Sequence, residues 1–99
     1  MRLIQEYQNA IKQAGSDIFG SGAEIFLFGS RVDDSKKGGD IDLYIIPNSN
    51  ECYPVLFDKK ITLLSKLKAL LGDQQIDLVL SKDKNRSIEK EALRTGIKL

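Results

Sequence analysis

The sequence predicts a small α/β domain: a mixed three-stranded sheet flanked by helices. Three observations predict it. Short apolar segments at Ile25 to Phe28, Asp40 to Ile46 and Gln75 to Leu80, each bounded by Gly or polar turn residues, read as strands. Two longer segments, residues 2 to 14 and 55 to 71, repeat apolar side chains every three or four positions and read as amphipathic helices. Helical and strand patterns alternate along the chain, so the strands are joined through helices rather than by hairpins alone.

Ninety-nine residues accommodate one domain, residues 1 to 99, with a core of modest size. Apolar residues make up 41% and charged residues 29%, with a formal net charge of +1, so no general attraction to nucleic acid is expected. Residues 1 to 50 carry five basic and seven acidic groups, and residues 51 to 99 carry ten and seven, a mild split. The lone cysteine, Cys52, excludes an internal disulfide and is read as inert; with no histidine in the chain, an ordinary zinc site is excluded too. No signal-peptide pattern opens the chain and no apolar run is long enough to span a membrane, so a cytoplasmic protein is expected.

Taken in order, Ile4, Tyr7, Ile11 and Ala14, with Ile18 continuing the stripe, predict the first helix, and Gly15, Gly20 and Gly22 are expected to end it. Gly20-Ser21-Gly22 reads as a turn. Ile25-Phe26-Leu27-Phe28 is a continuous apolar run, the pattern of a buried strand, stopped by Gly29. Ser30 and Arg31 then open a short helix, and residues 32 to 39 form a polar connector whose charges read mostly as solvated, although Lys36 or Lys37 is long enough to reach a triphosphate. In the second strand the period of two sets Asp40 and Asp42 on one face and Ile41, Leu43 and Ile45 on the other. Pro47 to Pro54 reads as a loop. The long helix follows, with Leu56, Phe57, Ile61, Leu64, Leu67 and Leu71 as its core stripe, Leu63 and Leu70 widening it, and Gly72 ending it. The third strand carries Asp77 inside an apolar pattern, where an ionised carboxylate is costly unless paired or metal-bound. A short helix from Ile88 to Thr95 closes the chain, capped by Gly96, and Lys82, Lys84, Arg86, Lys90, Arg94 and Lys98 read as a solvated face.

The chemistry lies between Leu27 and Ile46. Two aspartates side by side repel, so both stay ionised only with a cation between them or a proton on one. Oxygen-only ligands favour Mg²⁺ or Mn²⁺, which takes one or two carboxylates, waters and substrate phosphates. Gly29 lets the backbone approach a ligand, the N–H groups that open a helix at Ser30 face an anion, and Arg31 adds a charge-assisted contact. For the turn and Asp40-x-Asp42 to converge, the first two strands must run antiparallel; the long helix then makes a crossover to a third strand parallel to the second.

Gly29-Ser30-Arg31, Asp40-Ile41-Asp42-Leu43 and the distant Asp77 together resemble the nucleotidyltransferase superfamily of the polymerase β type, and within it the minimal nucleotidyltransferase antitoxins that stand beside HEPN-domain toxins. The resemblance spans nearly the whole chain, including the tail from Arg86 to Gly96, although the spacing between the Gly-Ser turn and the aspartates is nine residues rather than the more usual ten, with Gly39 where a serine often precedes the first aspartate. It implies the nucleotidyltransferase fold, Asp40, Asp42 and Asp77 as catalytic metal ligands, and Gly29, Ser30 and Arg31 on the nucleotide. It further implies Mg²⁺ or Mn²⁺ as cofactor, ATP as substrate, and AMP transfer to a tyrosine of a HEPN ribonuclease toxin, which the transfer silences. Two alternatives stay open: an antitoxin acting by contact alone, and the catalytic subunit of a two-chain small-molecule nucleotidyltransferase.

Overall fold

The structure, a computed structural model, describes residues 5–29, 41–48, 50–72, 75–82 and 85–99. Its elements are α1 (Gln5–Phe19), β1 (Glu24–Phe28), β2 (Ile41–Ile46), α2 (Tyr53–Leu71), β3 (Ile76–Leu80), α3 (Ser87–Thr95) and β4 (Ile97–Lys98). The strands lie in the order β3-β2-β1-β4, with β1 antiparallel to β2 and β2 parallel to β3, the mixed arrangement the sequence predicts. The two-residue β4, which the sequence reading lacks, adds antiparallel to β1 and makes the sheet four-stranded. The short helix expected after Gly29 falls on residues outside those described.

Strand alternation builds two cores. Ile41, Leu43 and Ile45 are fully buried in a cluster with α1 and α2, which cover that face of the sheet. Phe28 and Tyr44 point the other way and pack with Ala92 of α3. A fully buried aliphatic side chain contributes roughly 2 kcal/mol, so the larger cluster dominates stability.

Two helix boundaries and one helix face differ from expectation. Helix α1 runs through Gly15 to Phe19 instead of stopping at Gly15. A Cβ at Gly15 would fall 2.3 Å from Ile25 Cδ1, so glycine here lets the helix lie close against β1; the helix ends at Gly20, whose φ is +97°. Pro54, expected in the loop, belongs to the first turn of α2, where its missing N–H costs nothing. On α2, Leu56, Leu63, Leu67 and Leu71 face the core, whereas Phe57 and Ile61, expected inside, are exposed. The stripe is wider than one contact face, and packing against α1 and β3 selects the side that carries Leu63. Leu70 is exposed as well.

The basic tail is also less uniform than expected. Glu89 is fully buried and accepts hydrogen bonds from Tyr44 Oη (2.8 Å), Arg86 Nε (2.8 Å) and the Lys82 N–H (3.1 Å). Arg86 therefore serves as the partner of a buried carboxylate rather than as part of a solvated face. It also donates from Nη2 to the Leu80 carbonyl at 3.2 Å, tying the start of α3 to the end of β3.

Candidate active site

Topology brings the site together at one end of the sheet. β1 ends there and the parallel pair β2 and β3 begins there, so Phe28 stands opposite Asp42, and Asp42 opposite Asp77. Asp42 and Asp77 share the face on which Tyr44 and Val79 lie, away from α1 and α2. Asp42 is half-buried and Asp77 exposed. Exposure of Asp77 corrects the expectation of a carboxylate forced into a core strand. It enters the strand one residue after the start, on the side turned away from the larger core.

Gly29 closes the arrangement. Its φ is +78°, a region that favours glycine, and a Cβ built on it would lie 2.3 Å from Asp42 Oδ2. Only glycine lets the chain turn against the Asp42 carboxylate and leave room around it. Ser30, Arg31 and Asp40 lie outside the described residues, as do Lys36 and Lys37; Gly29, Asp42 and Asp77 are brought together as expected. Among the described residues no cluster of three or more possible metal ligands forms; of the three expected aspartates, Asp42 and Asp77 are among those residues. An all-oxygen pair on adjacent strands, beside a backbone cradle that a Cβ would fill, fits a hard divalent cation.

The carboxylates open into a cavity of about 480 Å³ lined by Phe28, Asp42, Lys60, Leu64, Ile76, Asp77, Leu78, Val79 and Ile88. Lys60 and Ile88 carry no sequence signal: Lys60 is one of four lysines on α2, and Ile88 one apolar residue on a short helix. Lys60 Nζ sits 5.4 Å from the centre of the Phe57 ring, a cation–π distance. Gly20-Ser21-Gly22 forms the turn expected of it, with the Ala23 N–H bonding the Gly20 carbonyl at 3.1 Å, and its last two residues border a separate, polar cavity with Lys12 and Lys98.

Behind the site, the Tyr44 phenol is pushed above its usual range by burial, opposed by a hydrogen bond from Ser81 and reinforced by the hydrogen bond to Glu89 and the negative charge of its carboxylate. Tyr44 thus stays neutral and donates. Its ring meets Phe26 at 6.1 Å between centres, fixing β2 against β1 two residues from Asp42.

Residues 23–99 match the family model described as polymerase beta, nucleotidyltransferase. The chain belongs to that family. The resemblance of the motif residues to the superfamily is thereby borne out, and the four-stranded mixed sheet is a nucleotidyltransferase fold. No curated protein matches the chain. Two solved structures are similar to this nucleotidyltransferase, both of the toxin–antitoxin MntA–HpeT. One, with a tyrosine changed to alanine, is 23% identical with a TM-score of 0.65, covering 93% of this chain and 69% of that one. The other, with two aspartates changed to glutamate, is 20% identical with a TM-score of 0.67, covering 92% and 70%. At this identity the likeness is one of fold. No helix among the described residues of the nucleotidyltransferase is long and apolar enough to cross a membrane.

Proposed function

We propose that this nucleotidyltransferase is a minimal antitoxin that moves AMP from ATP to a tyrosine of a helical HEPN ribonuclease toxin in the cytoplasm. The observation that carries the reading is the pairing of Asp42 with Asp77 beside Gly29 at the mouth of one cavity. Relatives in fold that come from a toxin–antitoxin pair support it, and the two changed aspartates in one of them stand two residues apart, as Asp40 and Asp42 do.

In the proposed reaction the tyrosine oxygen attacks the α-phosphorus, a new P–O bond forms, the bond to the β-phosphate oxygen breaks, and pyrophosphate leaves. Asp40, Asp42 and Asp77 would hold Mg²⁺ or Mn²⁺, which supplies charge neutralisation at the phosphates and lowers the pKa of the attacking hydroxyl. Gly29, Ser30 and Arg31 hold the departing phosphates from the β1 side. Asp77, on the opposite side of Asp42, would hold the metal nearest the attacking oxygen or, in place of that, take up the proton of the acceptor hydroxyl. Lys60 offers a positive charge in the same cavity.

Intact-mass spectrometry after mixing the chain, ATP, Mg²⁺ and the protein encoded by the adjoining gene tests this. An AMP-sized gain on a tyrosine of the partner is expected, lost with Asp42→Asn. Neutralisation of the partner without any mass gain would point instead to contact alone, and efficient transfer to a small alcohol or an aminoglycoside to a two-chain small-molecule enzyme.

A further inference from the structure

Among the described residues that line the cavity, Lys60 is the one cation, and it stands there with Asp42 and Asp77. It is half-buried, and a charge partly withdrawn from water is usually matched by a carboxylate. Two other lysines of α2 are matched in this way, Lys59 by Glu51 and Lys66 by Asp17. Among the described residues Lys60 has no such ion pair; its ammonium rests over the Phe57 ring, 5.4 Å from the centre. A ring face attracts the charge but takes no strong hydrogen bond from it, so the ammonium enters the site with donors to spare.

The cavity lies on the β3 side of the carboxylates. Residues Ile76 to Val79 of β3 line it, whereas Gly29, where the departing phosphates sit in the proposed reaction, does not. The strand order β3-β2-β1 sets Asp42 between the two. A cation on the β3 side is therefore placed for the attacking group rather than for the leaving group. Beyond Lys60 and the two carboxylates the walls are apolar, with Leu64 one helical turn from Lys60 and Ile88 exposed across from them. A side chain with an apolar ring and a polar tip matches such walls, and about 480 Å³ lies in the range that small bound groups occupy.

We propose that Lys60 is the acceptor-side cation of this site: its ammonium holds the attacking oxygen of the acceptor tyrosine, whose ring lies against Leu64 and Ile88. The assignment rests on the reading above and deepens it. As the tyrosine oxygen bonds to the α-phosphorus, the bond to the β-phosphate oxygen breaks and pyrophosphate leaves. The hydroxyl proton goes to Asp77 or to water, and Lys60 keeps its own protons throughout. Its contribution is a fixed positive charge and a hydrogen bond where negative charge develops on the attacking oxygen. A phenol ionises near pH 10 in water, within reach of such help, so the same cation favours tyrosine over an aliphatic alcohol.

Kinetics on the full chain with ATP, Mg²⁺ and the protein encoded by the adjoining gene, beside a binding measurement without them, test the proposal. Lys60→Met is expected to lower kcat by about tenfold to a hundredfold, with the KM for ATP and the melting temperature unchanged. Lys60→Arg, which keeps the charge, recovers most of the loss, and Lys68→Met, at an exposed position of the same helix, changes nothing. Without ATP or partner, N-acetyltyrosinamide shifts the methyl resonances of Leu64 and Ile88, saturating at roughly millimolar concentration, and Lys60→Met weakens that response. An AMP gain on the partner at an unchanged rate in Lys60→Met overturns the role of Lys60 and leaves the reaction standing. A higher KM for ATP with kcat retained moves Lys60 to the nucleotide, and equal losses in Lys60→Arg and Lys60→Met reveal a packing role; either overturns the assignment. Methyl shifts that Lys60→Met weakens, without any AMP gain, keep the acceptor site and overturn the reaction. Equal shifts with adenosine overturn the assignment of the cavity to the acceptor.

Discussion

Asp42 and Asp77 are direct partners across the parallel β2–β3 pair, so two carboxylates from distant parts of the sequence share one sheet face at the start of both strands. Like charges placed this way would cost the metal-free fold, and in the proposed function they would become a ligand pair for a divalent cation.

Mg²⁺ or Mn²⁺ should therefore raise the melting temperature. Binding to the native state alone gives about 2.7 kcal/mol at a hundredfold excess over Kd. Asp42→Asn and Asp77→Asn should each remove most of that shift, and Asp42→Asn should melt no lower than the unmutated chain without metal. Calorimetric scans at increasing metal concentration check both expectations.

Gly29 and Gly20 offer a matched comparison, since both have positive φ but only at Gly29 would a Cβ meet the Asp42 carboxylate. Each change to alanine costs about 1–2 kcal/mol for the left-handed backbone. Gly29→Ala should in addition displace the carboxylate and abolish metal response and transfer, while Gly20→Ala retains both. Equal effects of the two variants on metal binding would refute the close approach.

Arg86 and Arg94 both pair with glutamates one turn away, Glu89 and Glu91, yet Glu89 is buried and Glu91 is not. Arg86→Met leaves a buried carboxylate short of its charged partner and should cost about 3 kcal/mol. Arg94→Met breaks an exposed pair and should cost no more than about 0.5 kcal/mol. Urea unfolding of the two variants separates them.

Tyr44 links stability to alkaline pH. Its folded pKa is raised, chiefly by burial, so its contribution is fully present below the unfolded value of about 10 and is lost as pH rises through the folded value. Tyr44→Phe should lower stability at neutral pH by about 1–3 kcal/mol, because Glu89 loses a donor, and should flatten part of the fall above pH about 10. Melts from neutral pH upward, on both forms, give the comparison.

Much of this molecule was legible in its residues. The alternation Ile41, Leu43, Ile45 against Asp42 gave the strand and its two faces, and the Leu56 to Leu71 spacing gave the long helix, because side-chain period is a local property of each backbone form. Gly29 and the aspartates marked the site, since few other roles ask for those residues together. What tertiary structure alone decided concerns partners far apart in the chain. A helix stripe wider than its contact face does not say which side turns inward, and packing put Leu63 inside while leaving Phe57 and Ile61 outside. Burial of Glu89 depends on Tyr44 and Arg86 converging on it, and nothing in its own neighbourhood distinguishes it from Glu91. Gly15 looks like a helix stop until Ile25 lies against it. Strand register, finally, is a relation between segments: periodicity showed that Asp42 and Asp77 each interrupt an apolar strand, but only the pairing of β2 with β3 set them opposite each other.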